Sequence, residues 1–356
     1  MHIIRRSNLS LKKALFIRFI FLVLALIVSA AVIFAIVNKN PIDIYVSMIK
    51  GAFGTGKRTW VTVRDLMMLT CLAVALAPAY TLKFWNIGAE GQMLLGAIGA
   101  SFVMINFKSL PSGVLILLML LLAIILGGLW GVIPSIFKVK WNTNETLFTL
   151  MMNYIAIKFV AFCVAKWENP PGSNSVGTIN LNTHKGWIPN VFSKGYNTDF
   201  AILTFIVIAI CILVFVYLRY TKHGFEIAVM GDSERTAKYS GINVNWVLIR
   251  TMIISGALCG VAGFLEVAAV SHTITTSSAG GRGFTAIIVA WLAKMNPFIM
   301  ILISAIITVL DRGAVQIASE YGLNEHVSSM ITGIILFFIL ASEFFINYKL
   351  VKGGEK

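Results

Sequence analysis

Long apolar runs separated by short polar punctuation dominate the chain. Phe19 to Val37 contains no charged residue, and nineteen residues are enough to cross about 30 Å of bilayer hydrocarbon as a helix. Comparable runs at about Val61–Leu82, Glu90–Asn106, Val114–Phe137, Thr146–Ala165, Phe200–Leu218, Val247–Val270, Phe298–Leu310 and Val327–Ile346 predict further spans. Asp311 and Arg312 predict a connection before the last of them. Gly280 to Trp291 opens on glycines and is broken by Asn296-Pro297, the pattern of a short or re-entrant helix. The expected fold is an all-α, polytopic transmembrane helical bundle of about 8 to 10 spans with short broken helices, forming one domain over residues 1–356.

Composition agrees: 58% of the 356 residues are hydrophobic and 12% charged. Arg5, Arg6, Lys12, Lys13 and Arg18 precede the first run, so the N-terminus is expected in the cytoplasm. That run is longer than a signal-peptide core and ends without a small-x-small site, which makes it an anchor. Lys138 and Lys140, then Arg219, Lys222, Arg235 and Lys238, mark further cytoplasmic ends, and Lys349 with Lys352 place the C-terminus inside. The polar stretch 166–198, with Trp167, Trp187, Phe192 and Tyr196, is expected outside, where it holds a short interfacial helix or a docking surface for a partner protein.

The segment 38–60 breaks the charge rule. Helix parity places it outside, yet it carries Lys39, Lys50, Lys57 and Arg58, and an amphipathic surface helix is one reading of it. Within it, Gly51-Ala52-Phe53-Gly54-Thr55-Gly56-Lys57-Arg58 is one residue short of a phosphate-binding loop. Arg58 replaces the hydroxyl that would hold magnesium, so nucleotide binding is not expected. The net charge of +14 is accounted for by lipid headgroups and topology, without nucleic acid. Cys71, Cys163, Cys211 and Cys259 lie scattered in apolar runs, and neither a metal cluster nor a hydrolase motif is present, so no enzyme is expected.

Candidate chemistry concentrates in three stretches. Residues 84–100, FWNIGAEGQMLLGAIGA, place Asn86, Glu90 and Gln92 among glycines where plain hydrocarbon is expected. A buried ionisable group there costs roughly 2.5 kcal/mol or more and needs a partner, water or a role. The glycines either notch helix contacts or expose backbone N–H groups. Residues 220–246 are cytoplasmic; Ser233 is a plausible N-cap for a short charged helix ended by Gly241. The third stretch holds Gly281, Gly283 and Phe284. Glu266 shares a helical face with Ser255, Cys259 and Ala262 and is expected to look inward or to sit at the outer interface near His272. Asn153 and Tyr154 read as solute contacts or interhelical hydrogen-bond partners. Gly127-x-x-x-Gly131 and Gly256-x-x-x-Gly260 are packing motifs.

Trp85-Asn86-Ile87-Gly88-Ala89-Glu90-Gly91-Gln92 resembles the signature of permease subunits of bacterial ABC importers for branched-chain amino acids, simple sugars and nucleosides. The nucleoside and simple-sugar branch is most similar, with Trp85 where Phe is usual. Gly224 to Ile242 resembles the coupling helix of that family, and Gly281 to Pro297 its G-x-G-aromatic to N-P segment, with Ala293-Lys294 where glycine is commoner. The resemblance implies a transport subunit of the bacterial inner membrane, working by alternating access on nucleosides or related sugar-containing solutes. It implies no cofactor in this chain: ATP and magnesium belong to a cytoplasmic ATPase partner. A second permease or a self-dimer and an external solute-binding lipoprotein complete the implied assembly. The translocation path would involve Asn86, Glu90, Gln92, Asn153, Glu266, Gly281, Gly283 and Phe284, and coupling would involve Ser233, Glu234, Arg235, Ala237, Tyr239 and Gly241. Ribose or galactose-type sugars, riboflavin and branched-chain amino acids are alternative solutes. An ion-coupled secondary transporter, with Glu90 or Glu266 as the proton-sensitive group, is the alternative of another class.

Overall fold

The apolar runs are helices. A computed structural model of the protein describes residues 2–5, 11–37, 40–192, 199–322 and 325–351. Arg6, Lys39, Tyr196 and Lys352, used above for topology and the outer loop, lie outside these ranges. A short strand, β1 (His2–Arg5), precedes α1 (Leu11–Val37), α2 (Pro41–Phe53), α3 (Gly56–Thr81), α4 (Ala89–Asn106), α5 (Ser112–Trp141) and α6 (Glu145–Trp167). After a long connection come α7 (Ala201–Tyr220), α8 (Lys222–Asp232), α9 (Glu234–Tyr239) and α10 (Val244–Leu265), which a π-helical turn extends over Glu266–Val270. The chain finishes with α11 (Arg282–Leu292), α12 (Pro297–Glu320), α13 (Glu325–Asn347) and β2 (Tyr348–Val351).

Among the described residues, seven helices are long and apolar enough to cross a membrane. The 11 residues of α11 rise only about 16 Å at 1.5 Å each, too little to span alone. β1 and β2 pair antiparallel, His2 opposite Val351.

Backbone packing divides the chain into two compact units, one of residues 1–62 with 305–356 and one of residues 63–304. In the first, α2 starts with Asn40, whose side chain accepts the Ile42 N–H, and Pro41 at its first position. Its Ile44 and Met48 pack with Ala25 and Ile33 of α1, Ala314 and Ile317 of α12, and Ile331 and Ile335 of α13. Arg18 and Glu343, 3.0 Å apart, tie α1 to α13.

One expectation is corrected. Asp311 and Arg312 do not form a connection but lie inside α12, which runs to Glu320. Charge alone does not break a helix, and Ala314, Ile317 and Ala318 continue its buried face; the chain turns only at Gly322, where φ is 64°. Of the two readings of the stretch 166–198, a short helix is not found among its described residues 168–192, which are built of turns.

In the second unit α4 is enclosed by α5, α6 and α10. The two small-residue motifs pack on each other: a Cβ on Gly127 would stand 2.5 Å from the Gly256 carbonyl oxygen, and one on Gly131 2.6 Å from that of Met252. Backbones this close exclude any side chain, and dispersion contacts along the seam replace the hydrophobic drive that lipid cannot supply.

Candidate functional site

The polar residues of the second unit form two adjoining clusters, one of amides and one of ions. The amide cluster builds the start of α4. After α3 ends at Thr81 the chain reverses through Lys83, at φ 63°, and the first turn of α4 has backbone N–H groups that need acceptors. Asn86 Oδ1 accepts the Gly88 N–H at 2.9 Å, and Thr149 Oγ1 accepts that of Ile87 at 3.1 Å. Asn153 Oδ1 accepts the Gly91 N–H at 2.9 Å while its Nδ2 donates to the Ile87 carbonyl at 2.9 Å. Asn86 and Gln92 exchange amide hydrogen bonds of 3.2 and 3.3 Å, and the Tyr80 hydroxyl donates to the Asn86 carbonyl at 3.1 Å. Asn86, Gln92 and Asn153 are all buried. Of the two readings of Asn153, the interhelical hydrogen bond is what the geometry holds. Tyr154 points outward and is exposed.

The ion cluster sits where α11 begins. Glu90 Oε1 accepts the Gly281 N–H at 2.6 Å, setting a carboxylate against a helix N-terminus, where the peptide dipoles favour negative charge. Two glycines permit the approach. Gly281 has φ 73°, a conformation costly for other residues, and a Cβ on Gly283 would stand 2.9 Å from the Glu90 nitrogen. Between them Arg282 donates from Nη1 to Glu266 Oε2 at 2.8 Å. Its Nη2 lies 3.8 Å from Asp65 Oδ1, an oxygen that Arg64 also holds, at 2.9 Å. Arg64 in turn lies over the Phe200 ring. Two arginines thus face two carboxylates in a neutral group of which Arg282, with 25% of its side chain exposed, is the most open member.

Glu266 is therefore held by Arg282 on α11, and Glu90, Gly281 and Gly283 meet as one contact. Phe284 is half-exposed beyond it. Arg64, Asp65 and Arg282 were missed as site residues. An Arg-Asp pair inside the apolar run 61–82 was the available signal, since charges in a span rarely lack a function. Near the other end of α11, Trp291 and Trp85 pack with centroids 5.0 Å apart and planes tilted by 30°, each half-exposed, with Tyr80 edge-on to both.

The segment expected to couple is a pair of helices. Ser233 ends α8 and caps α9, accepting the Thr236 N–H at 3.3 Å, and Gly241 closes it at φ 75°. Ala237 is buried, whereas Glu234, Arg235 and Tyr239 face outward, Tyr239 at 94% exposure. α8 is anchored twice: Glu226 pairs with Arg250 of α10 at 2.9 Å, and Gly231 abuts the Thr81 carbonyl at the end of α3. Ile227 joins Ala79, Leu82, Phe84 and Val247 in one apolar cluster.

The connection between α6 and α7 docks on the π-helical turn. The Ile188 N–H donates to the Ala268 carbonyl and that of Ile179 to the His272 carbonyl, and Trp187 stacks on His272 at 3.7 Å. Burial pushes the His272 imidazole down to about 4 and His184 adds to the effect, against a raising hydrogen bond that the ring donates to the Val267 carbonyl.

Residues 61–340 match the family model described as branched-chain amino acid transport system / permease component. The chain is 28% identical over 338 residues to the glucose ABC transporter permease protein TsgB13 of Haloferax volcanii, covering 92% of this chain and 87% of that protein. It is 27% identical to the nucleoside ABC transporter permease protein NupB of Lactococcus lactis, covering 90% and 89%. It is 29% identical to the guanosine ABC transporter permease protein NupP of Bacillus subtilis, covering 88% and 89%.

Proposed function

Because the chain belongs to the branched-chain amino acid transport system / permease component family, we propose that it is the membrane-spanning subunit of an ATP-driven importer that takes up nucleosides or related sugar-containing solutes. Relatives named for nucleoside, guanosine and glucose transport support that solute class. ATP and magnesium are held by a cytoplasmic ATPase, a second permease chain or a copy of this one completes the membrane part, and a solute-binding lipoprotein delivers from outside. Both termini lie in the cytoplasm.

The observation that carries the reading is a continuous mechanical link between α9 and α11. The exposed face of α9 receives the motion of the ATPase. α8 passes it through Gly231 to the end of α3, and Tyr80 ties that end to Asn86. The amide cluster then moves the start of α4, and with it Glu90 and the Gly281 amide it holds. Alternating access follows when the N-terminus of α11 is pulled from, or returned to, α3 and α10.

The test is uptake of labelled nucleosides, ribose, riboflavin and leucine by cells carrying the whole transport operon. It is run with Glu234→Ala, Arg235→Ala and Tyr239→Ala in α9, and separately with an inactive ATPase. Nucleoside uptake that is lost in both is expected. Uptake untouched by either would refute ATP coupling and favour an ion-driven carrier.

A further inference from the structure

The segment Gly51–Arg58 has no part in the path just described. α2 ends at Phe53 and α3 begins at Gly56, so it forms a helix–turn–helix and lacks the strand of a nucleotide-binding loop. Its first glycine lies against α12, where a Cβ would stand 2.5 Å from Gln316 Cβ and 3.0 Å from the Arg312 carbonyl oxygen. Beside this contact is an open cavity of about 270 Å³. Its polar wall is made by Lys57, Arg58, Arg312, Gln316 and Ser319, with Val61 and Val315 on the rest.

Three cations and no carboxylate line the cavity among the described residues. Glu320, the acid one helical turn from Gln316, is engaged by the Gln316 amide at 3.3 Å. Arg58 is steadied by the Lys50 carbonyl at 3.2 Å, a bond that uses one of the five donors of a guanidinium. The fork geometry of arginine, the hydroxyl and the amide suit the oxygens of a phosphate. The valines suit the apolar part of the same molecule. The cavity also lies where an apolar span begins, the depth at which headgroups meet helix ends.

We propose that this cavity binds the phosphate of an anionic glycerophospholipid, with the valine side turned to its glycerol and acyl portion. The excess positive charge of a segment that parity places outside then has a physical cause, since each cation near an anionic membrane surface contributes attraction there.

The purified full-length chain, incubated with phosphatidylglycerol or with phosphatidylcholine, is examined by native mass spectrometry for retained lipid. Phosphatidylglycerol is expected to be retained in preference. The double variant Lys57→Gln/Arg58→Gln, at two exposed positions, is expected to weaken that retention about thirtyfold. Val315→Trp keeps every charge but fills the cavity from an exposed position, and the same loss is expected from it, which covers the case in which the charge variant is unstable. Equal retention of the two lipids, or unchanged preference in both variants, would overturn the site. Displacement of the lipid by soluble glycerol 3-phosphate at equal concentration would overturn the lipid in favour of a free phosphate ester.

Discussion

Replacing Glu266 by Gln tests whether the ion cluster holds α11 in place. The Glu266 side chain is 6% exposed and meets Arg282 at 2.8 Å. Removing one partner of a buried pair costs about 3–5 kcal/mol, because the other charge stays behind. Arg282 retains Asp65 at 3.8 Å, an oxygen shared with Arg64, so the lower end, about 3 kcal/mol, is expected. At about 2 °C per kcal/mol for a chain of this size, the thermal midpoint in lipid nanodiscs should fall by roughly 6 °C. Arg282→Gln should fall comparably, since it strands Glu266. The double variant pairs two neutral amides, so it should lose no more than the worse single, a coupling of about 2–3 kcal/mol. Drops that simply add would show that the two side chains do not act on each other and would remove the Arg282–Glu266 pair from what holds α11 in place.

Ser233→Ala should cost about 1 kcal/mol of helix stability, confined to the six residues of α9; amide exchange across 234–239 should quicken and uptake fall while the thermal midpoint holds, and unaltered uptake with faster exchange would detach α9 from coupling. The buried, neutral His272 has a folded pKa of about 4 against an ordinary 6.5; the unfolded chain binds the extra proton first, so stability is intact above about pH 6.5 and declines by about 3 kcal/mol as pH falls towards 4. His272→Phe keeps a ring against Trp187 and should flatten that decline in thermal midpoints measured across the window, and an equal decline in the variant would assign it elsewhere. Gly260→Leu should abolish monodisperse folded protein on size-exclusion chromatography, because α5 backbone occupies the space, whereas Gly113→Ala meets nothing within 4 Å and should leave the elution profile unchanged.

The spans were legible because the bilayer imposes one long-wavelength pattern that no local detail can hide. α9 was legible for the opposite reason: Ser233 and Gly241 are local signals of a cap and a stop, and both act as such. Partners distant in the chain were not. Nothing near Arg282 announces Glu266 or Asp65, and the glycines around it drew the reading towards backbone alone. Likewise Asn86 and Gln92, six residues apart, satisfy each other only because the chain bends before α4. The length of α12 was misjudged because Asp311 and Arg312 were weighed as polar punctuation, while the apolar face that carries the helix onward is set by contacts of Ala314 and Ile317 with other helices.

The two clusters differ in how readily each can rearrange, and that difference assigns them parts in the proposed cycle. Opening the amide cluster would leave the Gly88, Gly91 and Ile87 N–H groups and three buried amide side chains short of partners, at about 1–3 kcal/mol for each unsatisfied group. Such a group moves as a rigid body or not at all. Arg282, by contrast, has two carboxylates within 4 Å and is the most exposed member of its cluster. Sliding from Glu266 towards Asp65 keeps Arg282 paired, and the cost is that of loosening one buried carboxylate, Glu266, about 3 kcal/mol, rather than a whole set of groups. The start of α4 is thus suited to act as the pivot and Arg282 as the moving contact. Uptake should therefore tolerate Asp65→Glu, which keeps the second carboxylate, far better than Asp65→Asn, which removes it.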